Sequence, residues 1–278
     1  MIAGIGVAAM AGLIPVLENY TYPMVWWGLL PIVDAFNYRR RGLSLWRGRA
    51  RHFLLITIPV SVLFWLLFEA FNLAAPQWRY KGGIDNLHAE VLFGFIAFAT
   101  VIPIMVESYW LASGPFCLPE SFAAVFRRWR GAAIVIGVMF GAVPFFNRLF
   151  WFNQGMWLAP GLVLLPFAKS PPCSRTSRFV IALAASGLVA GFSWEMLNYW
   201  ARTHWEYLIL PAAPHLFQMP LLGYTGFIPF ALTSMIVYER QLRLRARLLT
   251  GVLLYVAAFG ALYFLTIVYV NRGLWLLP

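Results

Sequence analysis

Phe68-Glu69-Ala70-Phe71-Asn72 closes one long apolar run and is followed by Trp78-Arg79-Tyr80; Trp194-Glu195-Met196-Leu197-Asn198 closes another and is followed by Trp205-Glu206-Tyr207. In each copy a carboxylate precedes a carboxamide by three residues, a spacing that puts both on one helical face. The copies are offset by 126 residues at Glu-x-x-Asn and by 127 at Trp-x-Tyr, close to half of the 278-residue chain. The recurrence reads as an internal duplication in which each half brings one Glu-Asn pair to a shared place.

The surrounding sequence is that of a membrane protein. Hydrophobic residues make up 62% of the chain and charged residues 11%, against about 25% charged in soluble domains. Nine apolar segments are legible, about 2–17, 22–37, 53–74, 89–110, 131–147, 154–168, 178–200, 219–239 and 248–270. The longer ones match the roughly 20 residues needed to cross a bilayer core. The shorter ones carry Gly or Pro and are expected to tilt, kink or pair as hairpins. The expected fold is an all-α polytopic transmembrane bundle of about nine helices. Repeat 1 covers about 1–128 and repeat 2 about 129–247, with an extra helix over 248–270. Four helices per copy make the repeats parallel, related by an axis along the membrane normal, and such repeats build sites at their interface. Weaker matches are Trp27 to Pro31 with Trp157 to Pro160, and Val106-Glu107 with Tyr238-Glu239.

The net charge of +11 comes from short basic clusters between apolar runs. They read as topology signals and lipid contacts rather than a nucleic-acid surface. With the amino terminus cytoplasmic, inside loops hold Arg39 to Arg51, Arg127 to Arg130, Lys169 to Arg178 and Arg240 to Arg247, in all 16 of 21 basic residues. Only Arg79, Lys81, Arg148, Arg202 and Arg272 remain outside, as does the carboxyl terminus. The expected location is a bacterial inner membrane. The first 38 residues lack Lys and Arg, so 2–17 is expected to be a first helix and not a signal peptide. Cys117 and Cys173 fall on the side read as cytoplasmic, so neither a disulfide nor a thiolate metal site is expected.

Glu69 and Glu195 lie within one to two turns of the outer helix ends. An ionisable group in a span costs a few kcal/mol and takes a partner. Two readings stand side by side. In one, each Glu bonds its own Asn or a loop indole and clasps the helix ends. In the other, the two carboxyls face each other across the axis and share a proton, cation or substrate, since close carboxyls do not both ionise cheaply. Trp78, Tyr80, Trp205 and Tyr207 likewise read either as an interfacial aromatic belt or as a ring-lined cavity able to stack on a polyene or stabilise a carbocation. His88, Glu90, His204 and His215 fall on the same side, but their spacing supplies no metal-ligand pattern, and no metal or cofactor is expected. Asp34 is expected to ion-pair near Arg39, and Glu107 and Glu239 to anchor helix ends, Glu239 beside Arg240.

The pattern resembles the membrane lycopene (carotenoid) cyclase family: an acid ending one helix, a Trp-x-Tyr loop, then a helix running to Tyr-Glu. Here these are Glu69, Trp78-Arg79-Tyr80, the helix from Glu90 and Val106-Glu107, then Glu195, Trp205-Glu206-Tyr207, the helix from Met219 and Tyr238-Glu239. That family opens the post-loop helix with Pro-x-Glu-Glu. This chain has His88-Ala89-Glu90 in one half and Met219-Pro220-Leu221-Leu222 in the other, so only Glu90 carries over. The resemblance implies acid-catalysed conversion of an apolar isoprenoid or carotenoid by Glu69, Glu195 or Glu90, with Asn72, Asn198 and the Trp-x-Tyr rings binding substrate. The alternatives are a non-catalytic lipid- or pigment-binding subunit that packs against membrane-protein partners, and a small-solute carrier.

Overall fold

The computed structural model of the chain describes residues 1–243 apart from 85, 148 and 174, together with 260 and 263. The protein is mainly helical. Among the described residues, four helices are long and apolar enough to cross a membrane: α3 (Ala50–Ala74), α4 (His88–Ser113), α8 (Thr176–Trp200) and α9 (Leu221–Gln241). At about 1.5 Å per residue, 25 residues reach past a hydrocarbon core of about 30 Å. Two bent pairs raise the number to six if each counts as one span: α1 (Ile2–Met10) with α2 (Pro15–Arg41), at 112°, and α5 (Glu120–Arg128) with α6 (Arg130–Phe145), at 84°.

The long helices coincide with the apolar runs 53–74, 89–110, 178–200 and 219–239. The short runs are more broken. Residues 154–167 form a 3-10 turn, the short α7 (Ala159–Leu164) and a second 3-10 turn, because Pro160 and Pro166 each withdraw a backbone donor. The helix expected over 248–270 lies, but for Gly260 and Tyr263, outside the described residues, as do Arg148, Arg245, Arg247 and Arg272.

Backbone irregularities inside the spans are satisfied by neighbours. Pro59 has no N–H to give, and the turn ahead of it, Phe53–Thr57, widens into a π-helix. In α4 the helical ladder breaks at Ala99 and Thr100; Ser61 of α3 donates to Phe98 O at 2.7 Å and accepts from Ile102 N at 3.0 Å, filling the break. Helices α8 and α9 cross closely because Gly187 and Gly191 face Phe227, and a Cβ at either would collide with its carbonyl or ring.

Consecutive long helices run between two faces. One face carries β1 (Trp78–Lys81) after α3 and β2 (His204–Tyr207) after α8. The opposite face gathers basic residues onto loop and helix-end carbonyls: Arg41 Nη2 donates to Leu111 O, Arg178 Nη2 to Ser113 O, and Arg240 Nη1 to Phe167 O. Between them lies a large aromatic-rich core in which Phe68 stacks on Trp157 at 4.9 Å and Phe64 on Phe230 at 5.4 Å.

Expectations about the basic face are corrected in part. Cys117 and Cys173 form a disulfide. A parallel bridge between Leu118 and Pro172 lays the two loops side by side, with Leu118 N donating to Pro171 O and Cys173 N to Leu118 O, each at 3.0 Å. The expectation of free thiols rested on compartment, which says nothing of this proximity. Asp34 is buried and accepts from Ser44 Oγ at 2.8 Å and Leu45 N at 2.7 Å, holding the turn after α2 in place of an ion pair with Arg39. Glu239, near the end of α9, pairs with Arg243 at 2.9 Å, one helical turn on, as an anchor of that helix end would. Glu107 sits six residues inside the end of α4, buried, and accepts from Asn37 Nδ2 at 2.5 Å.

Candidate functional site

The two Trp-x-Tyr segments pair with each other. β1 and β2 form an antiparallel ribbon in which Trp78 lies opposite Tyr207, Arg79 opposite Glu206, Tyr80 opposite Trp205 and Lys81 opposite His204. Trp of one copy thus faces Tyr of the other, twice, as a local twofold between the strands requires. Alternation along a strand sends side chains to opposite sides, and the ribbon sorts accordingly. Trp78, Tyr80, Trp205 and Tyr207 turn their polar atoms inward to the glutamates. Arg79 and Lys81 meet Glu206 on the outside at 3.0 and 2.9 Å, with His204 3.7 Å away.

Each Glu-x-x-Asn pair holds the strand of its own half. Asn72 Nδ2 donates to Trp78 O at 3.0 Å, while its Oδ1 accepts from Gln77 N at 2.8 Å and Trp78 N at 3.1 Å. Asn198 repeats this on Trp205, donating to its carbonyl and accepting from its N–H, both at 2.8 Å. A carboxamide offers the donor and acceptor of a peptide unit, so each Asn pairs with its strand as a neighbouring strand would.

The carboxylates are engaged unequally. Glu69 Oε1 accepts from Trp65 Nε1 at 2.8 Å, Tyr80 OH at 2.5 Å and Trp78 Nε1 at 3.3 Å. Glu195 Oε1 accepts from Tyr207 OH at 2.8 Å and Trp205 Nε1 at 3.3 Å, and no donor among the described residues reaches its Oε2. The difference lies one turn back on each helix: Trp65 precedes Glu69 by four residues, and Gly191 takes the same place before Glu195. Burial, and next the adjacent glutamate, push the phenols of Tyr80 and Tyr207 well above their usual range, so both stay hydrogen-bond donors. At Glu206 burial works to raise the pKa, but Lys81 and Arg79 outweigh it and hold the carboxyl below its ordinary value.

Two cavities flank this arrangement. The first, about 130 Å³, has Glu195, Glu90, Tyr22, Trp194, Trp205 and Tyr263 among its lining residues. Glu90 lies against Gly83, where a Cβ would come within 2.8 Å of its Oε1. Glu69 is fully buried behind Trp65 and Trp78. The second cavity, about 370 Å³, lies against the chain from 209 to 230 and shares Trp65, Trp78, Trp157, Tyr207 and Phe227 with the first. His204 borders the first cavity, while His88 and His215 stand exposed; no group of three His, Cys, Asp or Glu among the described residues is placed to hold a metal.

The sequence reading missed Trp65, Tyr22, Trp157 and Tyr263. Trp65 left a signal, because four residues before Glu69 is the same helical face, and Trp157 left one as the repeat match of Trp27, without pointing to the cavity. The others come from distant segments through packing. The chain matches no known protein family, no curated protein and no solved structure.

Proposed function

We propose that the chain is an integral membrane protein of two parallel repeats, about 1–128 and 129–247, whose ribbon-side cavity binds an apolar isoprenoid or carotenoid and acts on it with Glu195 as the acid. The observation that carries this reading is the Glu195 carboxyl. It is fully buried at the wall of an aromatic cavity, with one oxygen held by Tyr207 and Trp205 and the other reached by no donor among the described residues. As the neutral acid, Glu195 would deliver its proton to a double bond of the chain. The resulting cation would lie among Trp194, Trp205 and Tyr22, whose rings attract positive charge. Attack on that cation by a second double bond of the same chain would form the ring bond, loss of a neighbouring C–H proton would restore neutrality, and return of a proton to Glu195 would reset the acid, a cyclase-like isomerisation that needs no cofactor. Glu90, which also lines this cavity, is the acid to which the cyclase resemblance points and would take that proton. Glu69, Asn72 and Asn198 would hold the ribbon that roofs the cavity. The basic face would be cytoplasmic, in an inner membrane, and the ribbon face outside.

A second reading uses the same cavity without turnover, as a pigment- or lipid-binding subunit of a membrane complex. It is favoured by the extent to which Glu69 and both asparagines are committed to holding structure. A small-solute carrier is less well supported, because the buried acids Asp34 and Glu107 are engaged by Ser44, Leu45 and Asn37. The experiment is to purify the protein, record its absorbance spectrum, identify extracted lipids by mass, and supply a polyene to wild type and Glu195→Gln. Product from wild type and none from the variant supports the enzyme. Bound pigment without product supports the second reading, and neither pigment nor product overturns both.

A further inference from the structure

The second cavity has a polar feature that acid catalysis does not use. Gln77 is 3% exposed and lines this cavity immediately before the ribbon. Its backbone is fixed on both sides: Gln77 N donates to Asn72 Oδ1 and Leu208 N donates to Gln77 O, each at 2.8 Å. The side chain is held more loosely. Gln154 Nε2 donates to Gln77 Oε1 at 3.4 Å, and Gln77 Nε2 approaches Met156 Sδ at 3.6 Å. A thioether is a weak acceptor, and a carboxamide nitrogen carries two N–H groups. A buried amide in this state is a donor prepared for a better acceptor, since leaving a buried donor poorly satisfied is costly.

The remaining walls state what brings that acceptor. Trp65, Trp78, Trp157 and Phe230 supply flat apolar surface, and the volume of about 370 Å³ falls in the range of small-molecule sites, about 300–1,000 Å³. Trp151 at 66% and Leu222 at 48% exposure form an apolar rim, suited to entry from the lipid. No charged side chain is among the described residues that line it, which disfavours an ionic ligand. We propose that this cavity binds a flat ring bearing a carbonyl, of the quinone or cyclic enone kind, at the end of a hydrocarbon chain. Gln77 Nε2 donates to the ring oxygen, and the indoles of Trp78 and Trp157 cover the ring face.

The inference extends the reading of an apolar ligand but does not depend on Glu195. The test uses the full chain in lipid nanodiscs, with decylubiquinone and decylbenzene as probes, and calorimetry. Wild type is expected to bind the quinone at least tenfold more tightly than the hydrocarbon. Gln77→Leu is expected to weaken quinone binding by roughly tenfold, the worth of one buried hydrogen bond, and to leave decylbenzene unchanged. Equal binding of the two probes by wild type, or undiminished quinone binding by Gln77→Leu, overturns the proposal. Should that variant not fold, infrared difference spectra of carbon-13-labelled quinone on wild type decide. A lowered carbonyl stretch supports the hydrogen bond, and an unshifted one overturns it. Polyene turnover by a protein that ignores decylubiquinone removes this inference alone, while quinone binding without turnover removes only the acid chemistry.

Discussion

Glu69 and Glu195 occupy equivalent places in two matching sequence segments, yet one is enclosed and the other faces a cavity. Trp65, one turn before Glu69, supplies a third donor and covers the carboxylate; Gly191, one turn before Glu195, supplies none, and its missing side chain admits the ring of Phe227. A single position therefore separates a carboxylate with three donors, enclosed behind two indoles, from one with two donors that lines a cavity. Duplicate motifs do not divide labour evenly. What surrounds each copy decides which one lines a cavity.

The contrast is broken most directly by activity. Glu195→Gln is expected to lower conversion of a supplied polyene by about a hundredfold or more, the usual worth of a general acid, whereas Glu69→Gln costs less than about tenfold. Chromatography of the products checks this, and equal losses would erase the distinction. Next in size is stability. Asn72 makes three hydrogen bonds to the backbone of residues 77–78, and Asn198 makes two to Trp205. At about 1 kcal/mol per bond, Asn72→Ala should destabilise by about 3 kcal/mol and Asn198→Ala by about 2, read from thermal unfolding in detergent. Trp65→Phe sharpens the comparison by giving Glu69 the donor set that Glu195 has. A loss of about 1 kcal/mol is expected, with turnover unaffected.

The smallest effect belongs to the outside of the ribbon. Because Glu206 is held below its ordinary value by Lys81 and Arg79, its contribution is present at neutral pH and is lost as pH falls through the depressed value. Glu206→Gln should lower stability at neutral pH by less than about 1 kcal/mol, as exposed ion pairs do, and flatten its decline in acid. An unchanged acid limb of the pH–stability curve would show that the ion pairs do not hold the ribbon.

How much of this was legible in the sequence follows from the range of the forces involved. The four long spans were readable because an uninterrupted apolar run of bilayer length has few other uses. The Glu-x-x-Asn face was readable because helical spacing is local. What each Asn would hold was not, since its partners lie in a strand formed only when Trp78-Arg79-Tyr80 meets Trp205-Glu206-Tyr207 from the other half. The broken course of 154–167 was signalled by Pro160 and Pro166 but not its exact turns. Asp34 defeated the charge rule because Ser44 and the Leu45 amide lie closer to hand than a solvated guanidinium. Among the aromatic residues that complete the first cavity, Trp157 was marked only as a repeat match to Trp27, whereas Tyr22 and Tyr263 are delivered by tertiary packing.

The bond between Cys117 and Cys173 has a consequence for how the chain enters its membrane. It lies on the face that collects the arginines, and arginine-rich loops are normally retained in a reducing cytosol. The oxidation state of this one pair therefore reports the direction of insertion. Molecules inserted with basic loops inward carry two alkylatable thiols in the living cell and acquire the crosslink only after lysis, whereas molecules inserted the other way carry it from the start.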